Sequence, residues 1–207
     1  MPFGSAFANS CNTAFIRAGE PLEPADLPTA AAGLGLTATP SLGLPAFLGS
    51  VPEPAAGTDE AASMIGQSKV LASPLGMATV AASIAAGKPV IPQLVVPGDA
   101  AATPSPSPTT TPSPPEAPVT SAEAATLREL MRGVVEQGSG AFLVDVPGAP
   151  VLAKSGTAEF GDADALKEHA WMIGIQGDLA VAVFVEEGEG GATTAGPLLE
   201  QFLRAIA

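Results

Sequence analysis

Two short motifs carry the residues that stand out for chemistry. One is the S-x-N triplet at residues 10–12, and the other is the K-S-G-T run at 154–157. Lys154 lies in an otherwise apolar strand-like run, and Gly156 follows two residues later. A glycine within a strand often marks a place where another group approaches the backbone closely. Because the neighbouring lysine supplies a positive charge, the pair predicts a site for an anionic ligand.

Composition narrows the kinds of site that the chain can hold. The 207 residues include 8 basic and 21 acidic side chains, a formal net charge of −13, so nucleic-acid binding is excluded for lack of clustered Lys and Arg. One cysteine and one histidine exclude an internal disulfide and a multi-histidine metal centre. We expect no metal and no cofactor. We find no targeting signal and no transmembrane run, and the hydrophobic content of 46% is enough for a core.

A mixed set of helices and strands must position these motifs. Ser73 and Gly87 are suited to cap a central, buried helix, and Ser121 and Gly138 are suited to bound a second one. Three strand-like runs follow, of which the last two form a hairpin, and a helix closes the chain. The predicted elements are helices at 74–87, 121–137 and 197–206 and strands at 151–159, 170–176 and 179–186. This order predicts an α+β fold, an antiparallel sheet with packed helices.

A low-complexity segment divides the chain. Residues 103–121 contain 7 Pro, 5 Thr and 4 Ser, and such a segment cannot bury enough apolar area to become ordered. We predict a helical and loop part at 1–100, a Thr/Pro/Ser-rich disordered insertion at 101–121, and a sheet part at 122–207. One domain interrupted by a flexible loop is favoured over two small domains. The alternative role for the insertion is that of a peptide ligand for an aromatic-lined groove.

Longer stretches around the motifs resemble one family. The sequence resembles the transpeptidase domain of penicillin-binding proteins, whose superfamily, shared with the serine β-lactamases, carries S-x-x-K, S-D-N and K-T-G motifs. Residues 9–15 resemble its extended second motif, and 66–67 with 70–78 resemble the entry to its central helix. Residues 154–159, with 169–171 opening the next strand, resemble its third motif. The resemblance implies a β-lactamase/transpeptidase-like fold of which the N-terminal part of the domain is missing.

The resemblance implies three catalytic residues. Lys154 would anchor the carboxylate of a D-Ala-D-Ala stem peptide or of a β-lactam. Ser10 would join the proton path to the leaving amine. The backbone N–H of Thr157 would supply one of two oxyanion donors.

It also implies a set of substrate-binding residues. The hydroxyls of Ser155 and Thr157 would hydrogen-bond the same carboxylate. Gly156 would let the acyl group lie along the strand as an added β partner. Asn12 would hold the amide carbonyl of the substrate.

One departure from the family bears on activity. The nucleophile of the family is the serine of S-x-x-K, and none of the four lysines, at 69, 88, 154 and 167, has a serine three residues before it. We therefore expect a fragment of a peptidoglycan D,D-transpeptidase domain that is inactive alone. The resemblance places the intact protein on the extracytoplasmic face of the bacterial membrane, held only through the missing N-terminal anchor. The alternatives are a non-catalytic remnant or D-Ala-D-Ala/β-lactam-binding module, and a β-lactamase or β-lactam sensor fragment.

Four other features are interpreted as structural or solvent-exposed rather than as functional sites. We interpret Cys11 as a small packing residue, because no histidine partner for a nucleophile is evident. His169 and Trp171 start a strand, and we interpret them as structural residues. The acidic residues at 186–189 read as a solvated loop.

Overall fold

The computed structural model describes residues 1–40, 42–94, 115, 117–162 and 164–207. Residues 101–114 and 116 of the predicted insertion lie outside them, so the insertion and the division into 1–100 and 122–207 stay predictions. The helices are α1 (Phe3–Ala8), α2 (Asn12–Gly19), α3 (Asp26–Gly33), α4 (Thr58–Ser63), α5 (Pro74–Ala86), α6 (Ser121–Gln137) and α7 (Gly196–Ile206). The strands are β1 (Gly49–Ser50), β2 (Leu71–Ala72), β3 (Leu152–Phe160), β4 (Lys167–Gln176) and β5 (Leu179–Val185). A 3₁₀ turn (Ala141–Leu143) precedes β3, and a π-helical turn (Gly191–Ala195) leads into α7.

Strands β3, β4 and β5 form one antiparallel sheet with β4 in the middle. Gly156 of β3 pairs with Trp171 of β4. The predicted hairpin of the last two strands is confirmed: β4 and β5 are joined through Gly177 and Asp178, and Gly177 has the positive φ, +61°, that a tight hairpin turn requires. β4 begins three residues earlier than predicted, at Lys167. β3 is an edge strand, so one side of it can accept a further partner.

The sheet buries apolar side chains on both faces, because successive strand residues point to opposite faces. Helix α7 covers one face, and helices α5 and α6 cover the other. The first core includes Leu143, Ala153, Met172, Leu199 and Leu203. The second core includes Val80, Ile84, Met131, Ile173 and Ile175, so elements from before and after the insertion share it.

Helix α5 is the central helix that the sequence predicts. The Ser73 hydroxyl accepts a hydrogen bond from the Gly76 N–H at 3.1 Å, and Pro74 occupies the first helical position. Gly87 ends the helix in the left-handed conformation, with φ +68°. Gly76 packs directly on the chain before β1, where an added Cβ would lie 2.0 Å from the Leu48 carbonyl oxygen.

Helix α6 spans the predicted residues but is capped differently. The prediction that Ser121 caps it is wrong, because Thr120 does so. The Thr120 side chain accepts from the Glu123 N–H at 3.2 Å, and the Glu123 carboxylate accepts from the Thr120 N–H at 2.8 Å. This reciprocal capping box satisfies two helix-end donors, which Ser121 could not do from one residue further along. At the other end Gly138 occupies the predicted cap position with an extended φ of −124°.

Two short helices at the N-terminus were not predicted. Helices α1 and α2 have 6 and 8 residues, and neither has a side-chain cap. Their ring contacts hold them together: Phe3 lies 5.5 Å from Phe15, and Phe7 lies 5.8 Å from Phe15, between ring centroids. Tertiary packing of this kind overrides weak local signals. Among the described residues, no helix is long and apolar enough to cross a membrane.

The close approach at Gly76 gives a test of this packing. Alanine normally stabilises a helix by about 1 kcal/mol relative to glycine. We expect Gly76→Ala instead to lower the free energy of unfolding by roughly 1–3 kcal/mol, because its methyl group would overlap the Leu48 backbone. Urea denaturation followed by circular dichroism measures this change.

The matched control is Gly133→Ala in α6. An added Cβ there would meet only the Gln137 side chain, at 3.8 Å, so the substitution should be stabilising. Equal effects of the two substitutions would contradict the close approach of α5 to Leu48.

Candidate active site

The two motifs meet at one cavity beside the free edge of β3. Its volume is about 690 Å³. Apolar walls come from the 64–77 region and from Trp171 and Ile173, and polar groups gather at the strand edge. All six residues predicted as catalytic or substrate-binding line it: Ser10, Asn12, Lys154, Ser155, Gly156 and Thr157.

A hydrogen bond joins the motifs across 144 residues of sequence. The Lys154 ammonium donates to Ser10 Oγ at 2.9 Å and to the Ser155 carbonyl oxygen at 2.8 Å. The Lys154 Nζ also lies 5.7 Å from the centre of the Phe7 ring, within range of a cation–π contact. Since an ammonium has three donors, one remains for a ligand in the cavity.

Burial changes the acidity of this lysine. Desolvation lowers the pKa of Lys154 from 10.5 to about 8, because a charged ammonium is less stable away from water. At pH 7 the group is still mostly protonated, so it can serve as a cation. The low pKa also brings its proton within reach of acid–base chemistry near neutral pH.

The turn between α1 and α2 aims Ser10 at Lys154. Ser10 has a φ of +54°, an uncommon left-handed conformation for a residue other than glycine. The Cys11 N–H donates back to the Ala6 carbonyl at 2.9 Å, which closes the turn. Asn12 then begins α2 at the cavity wall. A strained serine that is fixed by its surroundings is typical of functional sites.

The outward side of β3 carries the backbone groups that a ligand could use. Gly156 pairs with Trp171 of β4, whereas the Thr157 carbonyl accepts a hydrogen bond from Gln67, which lies outside the sheet. In an antiparallel strand the N–H and C=O of one residue point to the same side, and this side alternates from residue to residue. The alternate residues Ser155 and Thr157 therefore turn their N–H and C=O groups away from β4. The Thr157 N–H consequently points toward the cavity side of the strand.

Gln67 forms a hydrogen bond with one of these outward groups, the Thr157 carbonyl. Its side-chain amide donates to the Thr157 carbonyl oxygen at 3.1 Å, across 90 residues of sequence. It projects from a tight turn, since Gly66 and Ser68 on either side have φ values of +75° and +63°. In the sequence, Gln67 belongs to the stretch that resembles the helix entry, and nothing there predicts this contact. The turn-forming glycine before it was the only available signal.

Two further contacts fix the hydroxyls of the third motif. The Gly191 N–H donates to Thr157 Oγ1 at 3.1 Å. Ser139 Oγ lies 3.1 Å from Ser155 Oγ. Neither Gly191 nor Ser139 belongs to a motif that the sequence analysis singled out. Both contacts join segments that sequence spacing does not bring together.

The other candidates have structural surroundings. Cys11 occupies the N-cap position of α2 without a side-chain hydrogen bond to the helix, and it does not line the cavity. The Thr13 hydroxyl, 3.4 Å from the Cys11 Sγ, lowers the pKa of the thiol. His169 Nδ1 lies 2.6 Å from the Glu186 carbonyl oxygen. The His169 ring stacks on Phe160 with 3.8 Å between centroids. These two contacts support the structural interpretation of His169, whereas the packing role of Cys11 stays a prediction.

The cavity wall and the acidic loop complete the surroundings. Trp171 packs on Phe184, with 4.4 Å between ring centroids, and also faces the cavity. Glu187 forms an exposed ion pair with Lys167 at 2.7 Å. Within the part of the chain that the structure describes, no group of three or more His, Cys, Asp and Glu side chains could hold a metal.

Comparison with known proteins places this arrangement in a family. The family model for the penicillin binding protein transpeptidase domain matches residues 1–206. The chain belongs to the penicillin-binding protein transpeptidase family. The family that the motifs resembled and the α+β fold predicted from the order of the elements are both confirmed.

Curated relatives share this transpeptidase region. Peptidoglycan D,D-transpeptidase PbpA of Mycobacterium tuberculosis (strain H37Rv) is 35% identical over an alignment of 216 positions, which covers 97% of this chain and 42% of the relative. PbpA of Mycolicibacterium smegmatis is 38% identical over 198, covering 88% and 38%. The chain thus spans about two fifths of the length of these relatives.

Solved transpeptidase structures have the same fold. The crystal structure of PBPA from Mycobacterium tuberculosis has a TM-score of 0.77 and 31% identity, covering all of this chain and 52% of that one. The penicillin G acyl-enzyme complex of the same protein has a TM-score of 0.78 and 30% identity, covering 100% and 49%.

The partly buried Lys154 predicts a pH dependence of stability. Between pH 8 and 10.5 the unfolded chain keeps the Lys154 proton that the folded chain has lost, so the free energy of unfolding should rise with pH across this window. Below about pH 8 both states are protonated and the contribution is constant. Urea denaturation across this range, compared with Lys154→Met, isolates the effect.

Lys88→Met controls for the loss of one positive charge, since Lys88 is exposed and does not line the cavity. Parallel pH profiles for the wild-type chain and Lys154→Met would contradict the desolvation of Lys154.

Proposed function

We propose that this chain is part of a peptidoglycan D,D-transpeptidase domain whose cavity binds the carboxyl end of a D-Ala-D-Ala stem peptide, and β-lactams in its place. The observation that carries the proposal is the Lys154–Ser10 hydrogen bond at the edge of β3. It brings the second and third motifs of the family to one cavity. The proposed setting is the extracytoplasmic face of the bacterial membrane.

Lys154 and the hydroxyls of β3 recognise the ligand carboxylate. The third ammonium donor of Lys154 pairs with it, and a charge-assisted bond of this kind is stronger than one between neutral groups. Thr157 Oγ1 already accepts from Gly191, so its own proton is available for the carboxylate. The Ser155 hydroxyl supplies another donor. These groups anchor one end of the ligand.

The strand edge and Asn12 align the reacting bond. The ligand lies along β3 as an added strand, and Gly156 leaves room for it. The Thr157 N–H, which points away from β4, donates to the oxygen that becomes negative when a nucleophile attacks the carbonyl. The Asn12 side chain holds the substrate amide carbonyl.

Ser10 and Lys154 transfer a proton to the leaving amine. The Ser10 oxygen accepts from Lys154, so the Ser10 proton can point into the cavity toward the leaving amine. As that proton leaves, Lys154 can replace it, and the pKa of about 8 makes this transfer accessible near neutral pH. The acyl bond itself requires the serine of an S-x-x-K motif, which these 207 residues do not contain.

Ligand binding tests the proposal directly. We expect an N-acetylated D-Ala-D-Ala dipeptide to bind reversibly and Lys154→Ala to weaken binding by about tenfold or more, because a charge-assisted hydrogen bond contributes about 1.5–3 kcal/mol. Trp171 is the one tryptophan and lines the cavity, so its fluorescence reports binding.

Lys88→Ala is the matched control and should bind like the wild-type chain. Equal affinity of the wild-type and Lys154→Ala chains would contradict the proposed anchor. With labelled penicillin we expect no covalent adduct on this chain. A stable adduct would show that another residue serves as nucleophile.

A further inference from the structure

The turn that follows α6 connects the two motifs of the site. The Ser139 N–H donates to the Ala8 carbonyl at 3.1 Å, two residues before Ser10. The Ser139 hydroxyl lies 3.1 Å from the hydroxyl of Ser155 on β3. Gly138 brings the turn this close, since a Cβ there would lie 2.2 Å from the Ala8 carbonyl oxygen. The position of Ser139 is therefore fixed from two sides.

The hydrogen bond between the Ser139 and Ser155 hydroxyls can run in either direction, with one or the other as the donor. Each hydroxyl has one proton to donate and lone pairs to accept. If Ser155 donates to Ser139, it turns lone pairs toward the cavity and repels an anion. If Ser139 donates to Ser155, the Ser155 proton is released to point into the cavity. Ser139 does not line the cavity, so its own hydroxyl is not used by a ligand there.

We propose that Ser139 is a positioning residue for carboxylate recognition: it donates its hydroxyl proton to Ser155 Oγ and so directs the Ser155 proton toward the ligand. The inference rests on the proposed function, because it requires a carboxylate at the edge of β3. Lys154 donates a hydrogen bond to the Ser155 carbonyl and so fixes the strand at this residue. What can still change is the direction of the hydrogen bond between the two hydroxyls. An anionic ligand favours the polarity in which Ser139 is the donor.

The substitution Ser139→Ala tests this role through Ser155. Without the donor, Ser155 loses the contact that orients its proton, and we expect the affinity for N-acetylated D-Ala-D-Ala to fall about fivefold, as read from Trp171 fluorescence. Ser139→Thr keeps the hydroxyl and should restore affinity to within about twofold of wild type. Melting temperatures of the variants establish that each is folded.

A double-mutant cycle separates positioning from a general structural effect. If Ser139 acts through the Ser155 hydroxyl, Ser139→Ala should weaken binding by less than about twofold when Ser155→Ala is already present. The same fivefold loss in both backgrounds would overturn the inference, and so would unchanged affinity of Ser139→Ala. No binding of the dipeptide by the wild-type chain would overturn the proposed function and this inference together.

Discussion

A charged ammonium group held largely away from water is the constraint on which this site depends. Lys154 extends from β3 into a region where its pKa falls to about 8, and a buried cation is stable only if polar groups surround it. Ser10 Oγ and the Ser155 carbonyl supply two polar contacts, and the Phe7 ring adds a third contact of the cation–π type. Two of the three lie outside β3, so the N-terminal helices must pack against the sheet for the lysine to be accommodated.

The geometry around Lys154 and Ser10 also depends on backbone segments that approach each other without side chains between them. Gly138 lies against Ala8, and Gly191 lies against Gly156, at places where a Cβ would be 2.2 Å and 2.3 Å from a backbone oxygen. Backbone atoms are held more firmly than side-chain ends, so such contacts fix distances across the site closely. A hydrogen bond between residues 144 positions apart can then be maintained.

Local signals in the sequence were enough for the longer helices and the three strands of the main sheet. Ser73, Pro74 and Gly87 bound α5 by cap chemistry that acts within a few residues, and the turn at 177–178 sets the hairpin. The motif residues could be placed together only through the family resemblance. The contacts of Gln67 and Ser139 could not be predicted, because they join side chains to distant segments and leave no periodic pattern. Helices α1 and α2 were missed because they are short and lack side-chain caps, so aromatic packing determines them.

The most direct test of this account is a crystal structure of the chain with N-acetylated D-Ala-D-Ala. We expect an extended ligand along the outer edge of β3. Its carboxylate should lie within hydrogen-bond distance of Lys154 Nζ and Ser155 Oγ. A ligand at another surface, or one at this edge with its carboxylate remote from Lys154, would contradict it.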